Sequence, residues 1–155
     1  MIDIDIPGNP LTLEHLVMDY NGTLAVDGQL VPGVRSRLVK LADQLSVHVI
    51  TADTFGLARR GLDGIPCDLF ILPPGNQDQA KRDYVRSLGS SGSVCIGNGR
   101  NDRMMLEEAL LGIAVILEEG ASSITLMSAD VVCLNIVNAL DLLLNPLRLK
   151  ATLRV

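Results

Sequence analysis

Six aliphatic runs, each about one strand long and bounded by polar or turn-forming residues, leave this chain few folds to choose from. They are Leu16-Val17-Met18-Asp19, Ser46-Val47-His48-Val49-Ile50-Thr51, Leu69-Phe70-Ile71-Leu72, Ser93-Val94-Cys95-Ile96-Gly97, Gly112-Ile113-Ala114-Val115-Ile116 and Asp130-Val131-Val132-Cys133-Leu134. Unbroken aliphatic strands are what a parallel sheet covered on both faces requires. Helical spacing fills the intervals. Residues 34–45 place Val34, Leu38, Leu41 and Leu45 on one face, and 56–64 form a short helix. Residues 77–88 turn Ala80, Tyr84, Val85 and Leu88 inward, with Lys81 near their start. Residues 103–111 and 121–127 follow later strands, and 138–144 end before Pro146. Strand alternating with helix predicts an α/β fold with a doubly wound parallel sheet. Apolar residues are 48% of the chain but aromatics only 3%, so its core is aliphatic. Residues 1–14 read as an edge hairpin or strand pair, and 24–31 as a hairpin turning at Asp27-Gly28. No linker, repeat or low-complexity stretch interrupts the pattern, so 1–155 is expected to be a single domain.

Doubly wound sheets bind ligands outside the carboxyl ends of their strands. That rule gathers Asp19, Thr51 and Asn98 onto one edge. Asp19-Tyr20-Asn21-Gly22-Thr23-Leu24 places an acid at a strand end, before a glycine turn whose backbone N–H groups can face an anion. A carboxylate there can attack phosphorus, with Mg²⁺ neutralising the charge of both partners. An Asx-turn accounts equally for the same residues. Gly97-Asn98-Gly99-Arg100-Asn101-Asp102 offers Asn98 and Asp102 as oxygen ligands of the same metal or as acceptors behind its ligands, or simply an acid near a helix N-terminus. In Thr51-Ala52-Asp53, the Thr51 hydroxyl can donate to a phosphate oxygen; alternatively Thr51, Asp53 or Thr54 caps a helix. Lys81 can neutralise a phosphate, or lie on the surface as lone lysines do.

Acid, hydroxyl, lysine and Gly/Asn/Asp loop, in this order, resemble the four motifs of the haloacid dehalogenase (HAD) superfamily. Residues 19–24 look like the Asp-Lys-Thr-Gly-Thr-Leu of P-type ATPase phosphorylation domains. Thr51-Ala52-Asp53 is similar to their Thr-Gly-Asp, and residues 97–106 to their Gly-Asp-Gly-x-Asn-Asp loop. Gly112-Ile113-Ala114-Val115 and Ala129-Asp130-Val131-Val132 echo their later strands. The resemblance spans about residues 15–145 and is nearest to soluble P-type-ATPase-like proteins. It implies a Rossmann-like HAD core with Asp19 as nucleophile and the Asn21 carbonyl on Mg²⁺. Thr51 and Lys81 would hold the phosphoryl group, beside Gly22, Thr23, Ala52 and Asn101. Asn98 and Asp102 would stand on the metal side.

The departures are as informative. Asp19 and Thr51 stand only 32 positions apart, enough for a hairpin and a helix. There is no room for a nucleotide-binding domain or a cap larger than a hairpin flap. An open site favours a macromolecular or phosphoprotein substrate, or a partner that closes it; the partner expected is a phosphorylated small molecule or a phosphoprotein. Asn21 stands where superfamily phosphatases have a general acid/base Asp, and an amide cannot shuttle protons. Asn98 stands where the ATPases have Asp, so weaker metal binding is expected. The leading expectation is a slow Mg²⁺-dependent phosphatase acting through an aspartyl-phosphate on Asp19. A catalytically impaired phosphoryl- or partner-binding relative with a regulatory role is the alternative. A third reading is a regulatory domain phosphorylated on Asp19.

A net charge of −5 argues against nucleic acid as partner. Cys67, Cys95 and Cys133 have no zinc-type spacing and read as free thiols, the latter two buried. No apolar run reaches membrane-spanning length, so a cytoplasmic protein without a membrane partner is expected. His48, alternating with aliphatics, is expected on a partly exposed strand face. Oligomeric state is not legible.

Overall fold

The six aliphatic runs form one six-stranded parallel sheet in the computed structural model, which describes residues 1–53 and 55–155. Thr54, one of the three possible caps, lies outside the described residues. A separate antiparallel ribbon of β1 (Ile2–Ile4) and β2 (Leu11–Leu13) opens the chain. Next come β3 (His15–Asp19), the hairpin β4 (Ala25–Val26) and β5 (Gln29–Leu30), α1 (Val34–Ala42), β6 (Ser46–Thr51), α2 (Leu57–Gly61), β7 (Asp68–Ile71) and α3 (Gln77–Leu88). The remainder is β8 (Ser93–Gly97), α4 (Arg103–Glu108), β9 (Leu111–Val115), α5 (Ser123–Met127), β10 (Val131–Cys133), α6 (Ile136–Leu144) and α7 (Pro146–Leu153).

The strand order is β10-β9-β8-β3-β6-β7. The chain winds from β3 outward through β6 to β7, then returns to β8 on the other flank of β3 and continues outward to β10. The direction of winding therefore reverses between β3 and β8. Strand alternation sorts side chains between two layers. Leu16, Met18, Val94, Ile96, Ile113 and Val115 pack in the larger layer with Val34, Leu38 and Leu41 of α1 and Ile136, Leu140 and Leu143 of α6. Val17, Ile50, Cys95 and Ala114 pack in the smaller layer with Val85 of α3 and Met105 and Leu106 of α4. Each fully buried aliphatic side chain contributes about 1.5–3 kcal/mol. This docking outweighs capping in α1, whose N-cap Gly33 offers no side-chain hydrogen bond.

Several boundaries shift for local reasons. α1 stops at Ala42 rather than reaching 45, because the chain tightens there into i→i−3 turns, with the Gln44 N–H donating to the Leu41 carbonyl at 2.9 Å. α4 ends at Glu108, since Leu111 already belongs to β9. α6 starts earlier than 138, where Asn135 caps it by accepting the Asn138 N–H at 2.7 Å. The final segment forms α7, burying Leu149 and tying Lys150 to Asp5 at 2.9 Å. Both hairpins form as expected, and Asp27 and Gly28 take the positive φ of 50° and 77° that the second one needs. His48 does not lie on a partly exposed face: it is only 5% exposed, beneath Tyr84 of α3. α3 covers that face at this point of β6, so a polar residue within an aliphatic run proved to be interior. Cys95 and Cys133 are buried free thiols, as expected.

Candidate active site

The winding reversal between β3 and β8 brings the end of β3 against the loop after β8. Asp19, the last residue of β3, is 8% exposed. Lys81 of α3 is 1% exposed, which removes the surface-lysine reading. Its ammonium donates to Asp19 Oδ1 at 2.7 Å and to Asp102 Oδ1 at 2.6 Å. The other oxygen of Asp102 accepts the backbone N–H groups of Asn98, at 3.0 Å, and Gly99, at 2.9 Å. Asp102 thus spends both oxygens on Lys81 and on folding its own loop, and it does not line the cleft. Gly97 is required here, because a Cβ on it would come within 2.5 Å of the Asp102 side chain.

Burial raises the pKa of Asp19, and the Asp102 carboxylate raises it further; Lys81 opposes both, leaving Asp19 at about 7. Burial works against the Lys81 ammonium, but Asp102 and then Asp19 outweigh it, and the amine stays protonated. Losing one partner of such a buried cluster costs about 3–5 kcal/mol.

A cleft of about 240 Å³ opens onto Asp19 and is lined by Asn21, Thr51, Ala52, Lys81, Asn98 and Asn101. Thr51 is buried at the end of β6, and its hydroxyl accepts the Asp53 N–H at 3.3 Å. The capping role falls to Asp53, whose carboxylate accepts the N–H of Ala58 at 2.7 Å in α2. Asn101 donates to Gln77 at 2.9 Å. Gly22 has φ 77° and lets the turn after β3 close. Thr23 is fully buried beneath the cleft rather than in it; its hydroxyl donates to Asn98 Oδ1 at 3.3 Å and approaches Asp19 Oδ2 at 3.5 Å.

Two lining residues escaped the sequence reading, Gln77 and Glu119. Glu119 follows β9 in Leu117-Glu118-Glu119-Gly120, so the carboxyl-edge rule that found Asp19 applies to it as well.

The donors around the cleft suit a hard divalent cation. Asp19 Oδ2, not held by Lys81, is approached by the Thr23 hydroxyl at 3.5 Å. The Asn98 amide is oriented by donating to the Gly120 carbonyl at 3.0 Å, which turns Oδ1 away from it. The Asn21 carbonyl accepts no backbone hydrogen bond from the described residues. All are oxygens, the donor type Mg²⁺ takes. Among the described residues no group of three His, Cys, Asp or Glu side chains could hold a metal alone, so amide and backbone oxygens must contribute.

No family model matches the chain. Among solved structures, the cobalt-bound deoxy-D-mannose-octulosonate 8-phosphate phosphatase of Haemophilus influenzae superposes with a TM-score of 0.71 at 16% identity, covering 86% of this chain and 88% of that one. The 3-deoxy-D-manno-octulosonate 8-phosphate phosphatase of Yersinia pestis gives 0.69 at 16% identity, covering 98% and 95%. The Moraxella catarrhalis enzyme, in complex with magnesium, phosphate and a KDO molecule, gives 0.67 at 18%, covering 86% of each. The fold is that of the HAD phosphatases. Asp19, Thr51 and the loop after β8 lie on the carboxyl edge of the sheet, as the strand-end rule expects, and Lys81 reaches them from α3.

Sequence relatives come from Methanocaldococcus jannaschii. A soluble P-type ATPase-like phosphatase is 25% identical over 140 residues, 87% of this chain and 50% of that protein. An uncharacterized protein is 57% identical over 61 residues, 39% of this chain and 66% of that protein. The chain thus spans about half to two thirds of these relatives' lengths.

Proposed function

We propose that this chain is a divalent-cation-dependent phosphohydrolase, using Mg²⁺ and forming an aspartyl-phosphate on Asp19. The observation that carries the reading is the Asp19–Lys81–Asp102 cluster at the winding reversal, with Asp19 opening onto the cleft. HAD phosphatases as structural neighbours support it at the level of fold. Asp19, the Asn21 carbonyl and Asn98 would hold the cation. When bound, it supplies positive charge that lets a carboxylate approach a phosphate.

The chain's own groups do the rest. An Asp19 oxygen attacks phosphorus, the bond from phosphorus to the leaving oxygen breaks, and that oxygen takes the electron pair. Lys81 keeps the other Asp19 oxygen in place and offsets charge. The Thr51 hydroxyl and the backbone at Ala52 stand at the cleft to meet the phosphoryl oxygens, with Asn101 beside them. Water then attacks phosphorus and breaks the acyl-phosphate bond, returning Asp19 and releasing phosphate. Asn21 can neither protonate the leaving oxygen nor deprotonate the water, so turnover is slow. With only a small hairpin and a helix between Asp19 and Thr51, the cleft has no cap domain over it and suits a phosphorylated small molecule or a phosphoprotein.

The test is incubation with Mg²⁺ and acetyl phosphate or para-nitrophenyl phosphate, beside Asp19→Asn. Intact mass after acid quench reads the adduct, and released product reads turnover. Asp19-dependent turnover is expected; absence of both adduct and turnover would reject the reading. A lasting adduct without turnover would instead identify a phosphorylated regulatory domain, a reading that Asn21 favours.

A further inference from the structure

Glu119 is exposed at the cleft and has no hydrogen-bond or ion-pair partner among the described residues. Its position is nonetheless set. The turn that carries it closes by a bridge between Leu117 and Gly120, with the Gly120 N–H donating to the Leu117 carbonyl at 2.9 Å. Asn98 fastens this turn twice. Its side-chain amide donates to the Gly120 carbonyl at 3.0 Å, and its backbone carbonyl accepts the Ser122 N–H at 2.9 Å. A Cβ on Gly22 would lie 2.5 Å from Glu119 Oε2 and 2.9 Å from Asn98 Oδ1. Both side chains therefore converge on the same face of the turn after Asp19.

We propose that Glu119 provides the negative charge that Asn98 lacks, completing the oxygen set for the divalent cation from the loop after β9. The inference rests on the metal-dependent reading above. With a cation bound and Asp19 ionised against it, Asp19, Asp102 and Lys81 sum to one net negative charge, and the Glu119 carboxylate would bring it to two, matching a dication. The Asn98 amide has a distinct part in this. A carboxylate at 98 could not donate to the Gly120 carbonyl, so asparagine at 98 secures the loop that presents Glu119. The charge is relocated from one side chain to its neighbour, and the neutral residue holds the neighbour in place.

The test is Mn²⁺ binding, read by electron paramagnetic resonance on the full chain without substrate. Wild type is compared with Asp19→Asn, Glu119→Gln, Asn98→Asp and the Asn98→Asp/Glu119→Gln pair. Glu119→Gln should weaken Mn²⁺ binding on the order of 10–100-fold, the range seen when groups supporting a metal site are removed. The pair should recover much of that loss, because Asp at 98 restores the charge that Gln at 119 removes. Glu119→Gln binding Mn²⁺ as tightly as wild type, while Asp19→Asn loses it, would overturn the role of Glu119 and leave the functional reading standing. Wild type that binds no Mn²⁺ would overturn both. An altered pH–rate profile in Glu119→Gln at unchanged Mn²⁺ affinity would assign Glu119 to proton transfer and overturn the cation role.

Discussion

At the scale of single residues, the proposed site sets a buried carboxylate, Asp19, held by Lys81, beside an amide, Asn21, that cannot transfer protons. Asn21 lies in the cleft two residues beyond Asp19, where an acid could reach the leaving oxygen. Asn21→Asp should raise steady-state hydrolysis of para-nitrophenyl phosphate by about 10²–10⁴-fold, the usual worth of general acid/base help. Unchanged turnover would refute the missing acid at position 21 as the cause of slow hydrolysis in the proposed reading. Asp19, Thr51 and Lys81 were legible because each stands at a strand end or early in a helix, where residue type and position agree. Asp102 reads as a metal ligand or an acceptor behind one, and Thr23, from the resemblance, as a substrate contact; in the structure the hydrogen bonds of both face inward. Burial and bonding partners decide such matters, and spacing alone does not carry them.

At the scale of elements, the interior polar chain on the smaller face of the sheet has a measurable consequence. His48 of β6 has Nδ1 3.0 Å from the Tyr84 hydroxyl of α3 and Nε2 3.3 Å from His15 Nδ1 of β3. Asp68 of β7 is 3.8 Å from the same Nδ1. Burial lowers the His48 pKa below its ordinary 6.5 and His15 lowers it further, against Asp68, which raises it. The folded state thus prefers neutral His48. Its contribution is intact above 6.5 and is lost as pH falls from there toward the lower folded value, since the unfolded chain takes up the proton first. The melting temperature of wild type should drop between pH 7.5 and 5.5, and His48→Gln should flatten that part of the profile. An identical drop in both proteins would exclude His48 as its source. Six strands and most helices were readable from aliphatic runs and 3.6-residue spacing. His48 was misplaced because strand alternation reports which face a residue takes, and not whether a helix covers that face.

At the scale of the whole molecule, α1 and α6 close the larger layer and are joined at their rim by Arg37 and Asp141, 2.7 Å apart. Hydrogen bonding from Arg37 holds the Asp141 pKa below its ordinary 3.8. A depressed carboxylate stabilises above the unfolded value and ceases to do so as pH falls through the folded one. Asp141→Asn should therefore melt below wild type at pH 7, with the two curves converging under strongly acid conditions in a thermal titration; a gap that persists there would refute the ion pair as its cause. The overall architecture was the most legible level, because alternation of strand and helix allows few parallel topologies. The strand order was not written in any single segment. That order also has a kinetic consequence. Thr23 and Asn98 meet across a separation of 75 residues, and β3 gains its β8 neighbour only after the chain has wound out to β7 and back. Closing so long an interval is entropically slow, and parallel pairing brings no local reward beforehand. During refolding, helices and the two hairpins can form early, but the cleft has only one of its walls until β8 docks. Recovery of metal binding would then lag behind recovery of helical signal, making the site a reporter for the last long-range step of folding.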